Sequence, residues 1–280
     1  MPDPYSIYVA ARKALLDALS ALADHADSIV LVGAQAVYVH TGHYELPVEP
    51  FTMDADIALN PESIATTPDI ISAMEGAHFV LGGRGNPGEW VIASTVDGKS
   101  VNIPVDILVP ESLAPQAGKR SARLQGHGKM AARKVEGLES TIVDNAWTEI
   151  RPLDAIDGRL LECRVAGPAS LLIAKAYKLR DRLEPGSNPD RRKDKDALDV
   201  YRIAASIPFA RLEADLQRLL ADERSSTSAK QGTAIFVQLF GVRRAPGVEM
   251  AIQSLEGTVP PRRIAEILSQ LANRIRRFIV

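Results

Sequence analysis

Thr52-Met53-Asp54-Ala55-Asp56-Ile57-Ala58-Leu59 is the stretch on which the reading of this chain turns. It has the pattern of a β-strand and is stopped by Asn60-Pro61. Side chains alternate faces along a strand, so Asp54 and Asp56 point the same way, about 7 Å apart at the backbone, while Ala55 and Ile57 turn into apolar packing. Two like-charged carboxylates on one face repel each other. A cation between them removes that penalty, and hard divalent cations such as Mg²⁺ prefer oxygen ligands. A solvated strand end, or an edge strand protected by charge, accounts for the same pair without any ligand.

Outward from this strand the pattern is that of a small α/β domain. Upstream, residues 6–25 carry Ile7, Ala11, Leu15, Leu19 and Leu22 at helical spacing. The β-branched run Ser28-Ile-Val-Leu-Val-Gly33 follows as a strand, and then a short helix over Ala34–His40. Downstream, residues 68–76 read as a helix, and His78–Gly83, Gly88–Thr95 and Ser100–Pro110 as three strands. The order helix, strand, helix, strand, helix, three strands predicts a mixed sheet. Pro110–Lys134, rich in Gly, Ser, Gln and basic residues, predicts a mobile loop with a short helix or two. Residues 147–165 predict two peripheral strands. From Gly167 the pattern is helical, ending in a stripe of Ile264, Ile267, Leu268, Leu271, Ile275 and Ile279 after Pro260-Pro261. The expected fold class is α+β: an N-terminal α/β domain over 1–166 and a C-terminal helical domain over 167–280.

A third carboxylate strengthens the cation reading. In Val101–Ile107, Val101, Ile103, Val105 and Ile107 alternate with Asn102, Pro104 and Asp106, which puts an acid on the polar face of an apolar strand. If that strand lies beside Asp54–Leu59, three carboxylates converge, as two-metal phosphoryl chemistry requires. Taken alone, Asp106 is equally well a surface aspartate. Gly33 ends one strand and opens a helix, where backbone can approach a phosphate near a helix N-terminus.

Composition narrows the classes. The 280 residues are 46% hydrophobic and 24% charged, which is ordinary for a globular protein. No apolar run is long enough for a bilayer, and the start Met1–Lys13 has no apolar signal core, so a cytoplasmic protein is expected. The single cysteine, Cys163, excludes an internal disulfide and lies in an apolar run that reads as core. Net charge is −2, unlike a DNA-coating protein. Basic clusters nevertheless occur at Lys119, Arg120, Arg123, Lys129, Arg133 and Lys134, at 191–193, and at Arg274, Arg276 and Arg277. Such patches suit RNA phosphates, and equally a solvated surface.

Together these residues resemble a known family. Gly33-Ala34, Asp54-x-Asp56 and Asp106 are similar to the polymerase-β-type nucleotidyltransferase signature. Leu171–Arg182 followed by Arg191–Ile203 resembles the Lys-helix and Asp-helix pair of the AbiEii-type nucleotidyltransferase toxins of type IV toxin–antitoxin systems. The likeness spans residues 28 to 203. It implies that Gly33 and Ala34 cradle phosphate and that Asp54, Asp56 and Asp106 hold Mg²⁺ or Mn²⁺. It also implies that Lys175 reaches the triphosphate and that Asp196 completes the catalytic set with Asp56 and Asp106. Lys178 and Arg182 lie within one or two turns of Lys175, with Arg182 on its face at i+7, and are assigned to nucleotide contact with it. Asp196 and Asp199 share a helix face, and either is able to orient Lys175. Surface lysine and first-turn acidic positions would read the same way without a ligand. The chain departs from the family at Ala34, where Gly or Ser is usual, and lacks an arginine a few residues before Asp54, near Pro50. Arg84 and Arg182 are candidate replacements.

The expected activity is transfer of NMP from an NTP to an RNA acceptor. The resemblance points to the tRNA 3′ end, with an antitoxin protein as a further partner. Lys119, Arg120 and Arg123 are the expected RNA contacts. An aromatic content of 5% favours backbone and shape recognition over base stacking. Two alternatives stand: an enzyme of the same fold that modifies a small, antibiotic-type molecule, and a catalytically silent binding protein of that fold. The glycine run at 82–88 reads as a hairpin loop rather than a phosphate loop. The five histidines show no metal-ligand spacing.

Overall fold

The computed structural model describes residues 3–42, 44, 51–83, 85–116, 118–184 and 195–279. The chain is mixed α and β, with one mixed sheet, and divides into two compact units. The first comprises residues 1–36, 51–135 and 145–166; the second comprises 37–50, 136–144 and 167–280. Among the described residues no helix is long and apolar enough to cross a membrane.

The first unit opens with α1 (Pro4–Ala21), capped by Asp3, whose carboxylate accepts from the Ser6 amide at 3.0 Å. Its buried stripe includes Ala11, Leu15, Leu16, Ala18 and Leu19. The helix stops short of residue 25, because Leu22 leaves helical geometry and a 3-10 turn takes over at 23–28. Next come β1 (Ile29–Val32), α2 (Gly33–Thr41), β2 (Ala55–Leu59), α3 (Ile70–Gly76), β3 (Val80–Leu81), β4 (Glu89–Val96) and β5 (Lys99–Pro110). Later come β6 (Arg133–Val135), β7 (Asn145–Ile150) and β8 (Leu161–Ala166), while α4 (Glu139–Val143) and the part of α2 from Val37 on belong to the second unit. The sheet runs β3-β4-β5-β2-β1-β8-β7, with β6 also paired to β5. Two of its central pairings are parallel, β2 with β5 and β1 with β8, and the pairing between β1 and β2 is antiparallel. Helix α1 packs on this sheet against β5, β4, β2 and β8.

Two expectations change here. Strand β8 is interior rather than peripheral: it lies between β1 and β7, with Cys163 and Val165 buried. An apolar strand reads alike at an edge or in the middle, and only long-range pairing separates the two. The segment 111–132 forms no helix in its described residues; it is pinned down by specific contacts instead. The Trp90 indole donates to the Ala131 carbonyl at 3.2 Å, and Ala122, Leu124, His127, Ala131 and Ala132 are buried. Left-handed glycines at 118 and 126 also break any helix there.

The segment's end, β6, takes the position beside β5 that β4 leaves free. Glu89 is the first β4 residue and pairs with Asp106, whereas Arg133 pairs with Leu108. Gly88 makes the handover: its amide donates to Met130 at 2.8 Å, and its carbonyl accepts from Ile107 at 2.8 Å.

The second unit is helical: α5 (Pro168–Leu183), α6 (Lys195–Ser206), α7 (Phe209–Ala221), α8 (Ser226–Phe240), α9 (Pro246–Ser254) and α10 (Pro261–Ile275). Helix α5 packs against α4, α6, α7 and α8. The terminal stripe is buried at Ile264, Leu268, Leu271 and Ile275.

Gly88 should be the least replaceable glycine at the strand handover. Its φ is +71°, and a Cβ there would lie 2.2 Å from the Ile107 carbonyl oxygen and 2.7 Å from the Arg133 amide. Gly88→Ala should therefore cost about 2–4 kcal/mol in urea unfolding. Gly98→Ala, with φ +73° but open space around it, should cost about 1–2 kcal/mol. Equal losses at the two positions would contradict the steric account of Gly88.

Candidate functional site

The acidic row lies across the middle of the sheet in the first unit. Parallel pairing of β2 with β5 puts Asp56 in register with Asp106, and antiparallel pairing of β4 with β5 puts Glu89 beside Asp106. Residues opposite each other in a ladder point to the same face, with Cβ atoms about 5 Å apart. Asp56 is 9% exposed and the Asp106 side chain 18% exposed, so water screens this repulsion poorly. Burial first, and the Asp56 charge second, push the Asp106 carboxyl up to about 6, although Arg133 opposes the shift. Arg133 forms a forked contact with Asp106: Nη2 donates to Oδ2 at 2.5 Å and Nη1 to Oδ1 at 3.3 Å.

Gly33 sits on the other side of Asp56. Its φ is +71°, and a Cβ there would stand 2.0 Å from Asp56 Oδ2. The glycine is therefore required by the aspartate itself, which packs against the start of α2. Ala34, next in line, has a buried side chain.

Asp54 lies one residue before β2 and so outside the strand. Thr52 donates to its carboxylate. Its backbone carbonyl accepts from Gln35 Nε2 at 3.1 Å. Gln35 is itself held: it donates to the Ala11 carbonyl at 3.1 Å and accepts from Arg12 Nε at 2.7 Å. Arg12 in turn donates to the Arg151 carbonyl at 2.8 Å. Gln35 and Arg12 are both buried, and neither was legible as a site residue from the sequence, because a lone Gln on a short helix carries no pattern. The one available signal was its place two residues after Gly33.

Lys119, Arg120 and Arg123 are exposed on the segment leading to β6. Arg120 reaches the row through Asn86: its Nη1 donates to Asn86 Oδ1 at 3.4 Å, and Asn86 Nδ2 donates to Glu89 at 2.8 Å. Arg84 and residues 191–193 lie outside the described residues.

The second unit holds its own charge cluster on α5 and α6. Lys175 is 3% exposed, and its ammonium donates to Asp196 at 2.7 Å and Asp199 at 2.5 Å. Arg182 Nη1 lies 2.6 Å from the other Asp196 oxygen, and Lys178 Nζ 3.7 Å from the first. The Lys178 side chain is 46% exposed. Burial alone would lower the Lys175 pKa, but the two aspartates more than reverse it. Asp196 is held well below the usual carboxylate range: burial opposes this, and Lys175, Lys178 and Arg182 overcome it. The second oxygen of Asp199 is buried with no hydrogen-bond partner among the described residues. Lys175 is thus an interior ion-triad residue, where the sequence pattern left open a solvated surface lysine.

In the same unit Asp144 caps α5 from a distance. Its carboxylate accepts from the Ser170 amide at 3.3 Å and from Arg218 at 3.3 Å, and a Cβ on Gly167 would strike it.

The histidines include one pair that the spacing did not reveal. The rings of His25 and His127 meet edge to face at 5.4 Å, and each has a ring nitrogen within hydrogen-bond reach of a backbone carbonyl. Cys163 is buried, and burial pushes its thiol up to about 11, which does not suit a nucleophile at neutral pH.

A divalent cation is the ligand to which the acidic row is suited by its donors. Its donors are all hard carboxylate oxygens, and the repulsion between Asp56 and Asp106 is of the kind a divalent ion relieves. The chemistry fits. In this arrangement, however, Asp106 is turned to Arg133, and among the described residues no group of three or more His, Cys, Asp or Glu side chains is arranged to hold a metal ion. No protein-family model matches the sequence, and no curated protein matches it either.

The buried triad gives a stability test. Lys175→Met removes the one ammonium shared by Asp196 and Asp199 and should cost about 3–5 kcal/mol in chemical unfolding. Adding Asp199→Asn should recover part of that loss, because the amide no longer carries an unpaired buried charge. Additive losses in the double variant would show that Lys175 and Asp199 are not coupled.

Proposed function

We propose that this protein is a nucleotidyltransferase that moves NMP from an NTP to an RNA acceptor. The observation that carries the reading is the register of Asp56 with Asp106 on two parallel central strands, with Gly33 packed against Asp56 and Asp54 two residues away. Carboxylates so placed are costly unless they serve a cation. Asp54, Asp56 and Asp106 would hold Mg²⁺ or Mn²⁺, which when bound supplies charge neutralisation for the triphosphate and activates the attacking oxygen.

In the proposed reaction an acceptor hydroxyl attacks the α-phosphorus, the bond to the β-phosphate oxygen breaks, and pyrophosphate leaves. Asp106 would take the hydroxyl proton, its carboxylate standing in register with Asp56. Gly33 and Ala34 would offer backbone to the phosphates at the start of α2. The resemblance assigns Lys175, Lys178 and Arg182 to nucleotide contact; with Lys175 held inside by Asp196 and Asp199, Lys178 and Arg182 would make that contact and Lys175 would position them. Lys119, Arg120 and Arg123 would meet RNA phosphates, with the tRNA 3′ end the acceptor implied by the AbiEii-type resemblance. The same resemblance supplies the reading as a toxin with a cognate antitoxin.

The test is incubation of the purified protein with each labelled NTP, Mg²⁺ and total RNA. Wild type should label RNA. Asp56→Asn should abolish labelling while leaving the melting temperature unchanged or slightly raised, since one of two repelling carboxylates is neutralised. A wild-type protein that labels neither RNA nor small acceptors with any NTP would overturn the proposal.

A separate measurement addresses the acceptor. Reversing charge at Lys119, Arg120 and Arg123 should weaken RNA binding and flatten its dependence on log salt by up to about 2 units, at roughly 0.7 per lost single-strand phosphate contact. An unchanged salt slope would remove these residues from the RNA interface.

A further inference from the structure

Two acids in register need a counter-charge, and the closest cation in contact with Asp106 is a protein side chain. Arg133 grips both Asp106 oxygens, and its own side chain is 26% exposed. Its backbone is fixed by pairing of β6 with β5, two residues beyond Asp106. The contact is therefore a side-chain arrangement on a strand-paired backbone, with the Arg133 side chain partly open to solvent. A planar guanidinium fork matches a carboxylate and a phosphate equally well.

We infer that Arg133 is an exchangeable counter-cation: it and a divalent cation compete for Asp106, and the guanidinium so released binds the polyphosphate that accompanies the metal. This rests on the reading of Asp54, Asp56 and Asp106 as a cation site. The exchange replaces a charge of +1 beside Asp106 by +2 and frees the guanidinium for the polyphosphate that arrives with the metal. Before it, the Arg133 guanidinium pairs with Asp106. After it, the metal does so, and the guanidinium turns to the phosphate charge. The site needs no further arginine for that role. The competition also accounts for the arrangement of Asp106, whose two oxygens are turned to Arg133.

The inference predicts opposite effects of one substitution on two ligands. Mn²⁺ alone, titrated by electron paramagnetic resonance, should bind Arg133→Gln about tenfold or more tightly than wild type, because a competing unit charge within a few ångströms is gone. The gain should vanish in an Asp106→Asn background. Tripolyphosphate added to the Mn²⁺-loaded protein should bind Arg133→Gln about tenfold more weakly. In wild type, where folding is not in question, the Arg133 Nε–Hε resonance should shift on adding Mg²⁺.

Unchanged or weaker Mn²⁺ binding by Arg133→Gln, tripolyphosphate binding indifferent to Arg133, or an unmoved Arg133 resonance would each overturn the inference. Failure of the underlying reading looks different: Mn²⁺ binding would then be indifferent to Asp56→Asn. Binding that needs Asp56 but ignores Arg133 would sink only the exchange.

Discussion

Repulsion between Asp56 and Asp106 is the constraint around which the first unit is built. Parallel pairing of β2 with β5 sets the two carboxylates side by side where water reaches them poorly. Several other features follow from accommodating them. Gly33 has no side chain because Asp56 fills the space one would take. Asp54 lies just before the strand, its carboxylate met by Thr52 and its carbonyl by Gln35. Arg133 reaches Asp106 only because β6 takes over from β4 at Gly88. A fold that wanted stability alone would place apolar residues at positions 56 and 106, as it does at the flanking Ala55, Ile57, Val105 and Ile107.

The helical unit shows the same economy in a different form. Its central buried ion cluster spans two neighbouring helices, Lys175 on α5 bridging Asp196 and Asp199 on α6. Arg182 and Lys178 add positive charge around Asp196, so three cations meet two carboxylates. Such a cluster fixes the approach of α5 to α6, because apolar contacts tolerate sliding and a forked set of ionic contacts does not. Asp144 plays a related part at the other end of α5, where the helix amides need an acceptor that its own Gly167 cannot supply.

Much of this was visible in the residues. Asp54, Asp56 and Asp106 stood out because an acid on one face of an apolar strand breaks the expected alternation. Gly33 stood out as a glycine at a strand-to-helix turn, and the structure adds that it leaves room for the Asp56 carboxylate. Lys175 with Asp196 and Asp199 came from helical spacing and from likeness to a toxin family. Gln35, Arg12 and Arg133 did not emerge as parts of the site. Each acts through a partner tens of residues away, and no local periodicity records such a pairing.

The division has a physical cause. Local chemistry decided what the sequence alone determined: the alternation and helical stripes that make this an α+β chain with a mixed sheet, and the acids that stand out against apolar strands. Those signals arise within a few residues and survive without knowledge of the partner. Tertiary structure alone decided that β8 is interior, that 111–132 is pinned without a helix, and that Asp106 faces Arg133. These depend on which strand lies beside which. Strand order is set by burial and pairing summed over the whole sheet, a quantity no single segment carries.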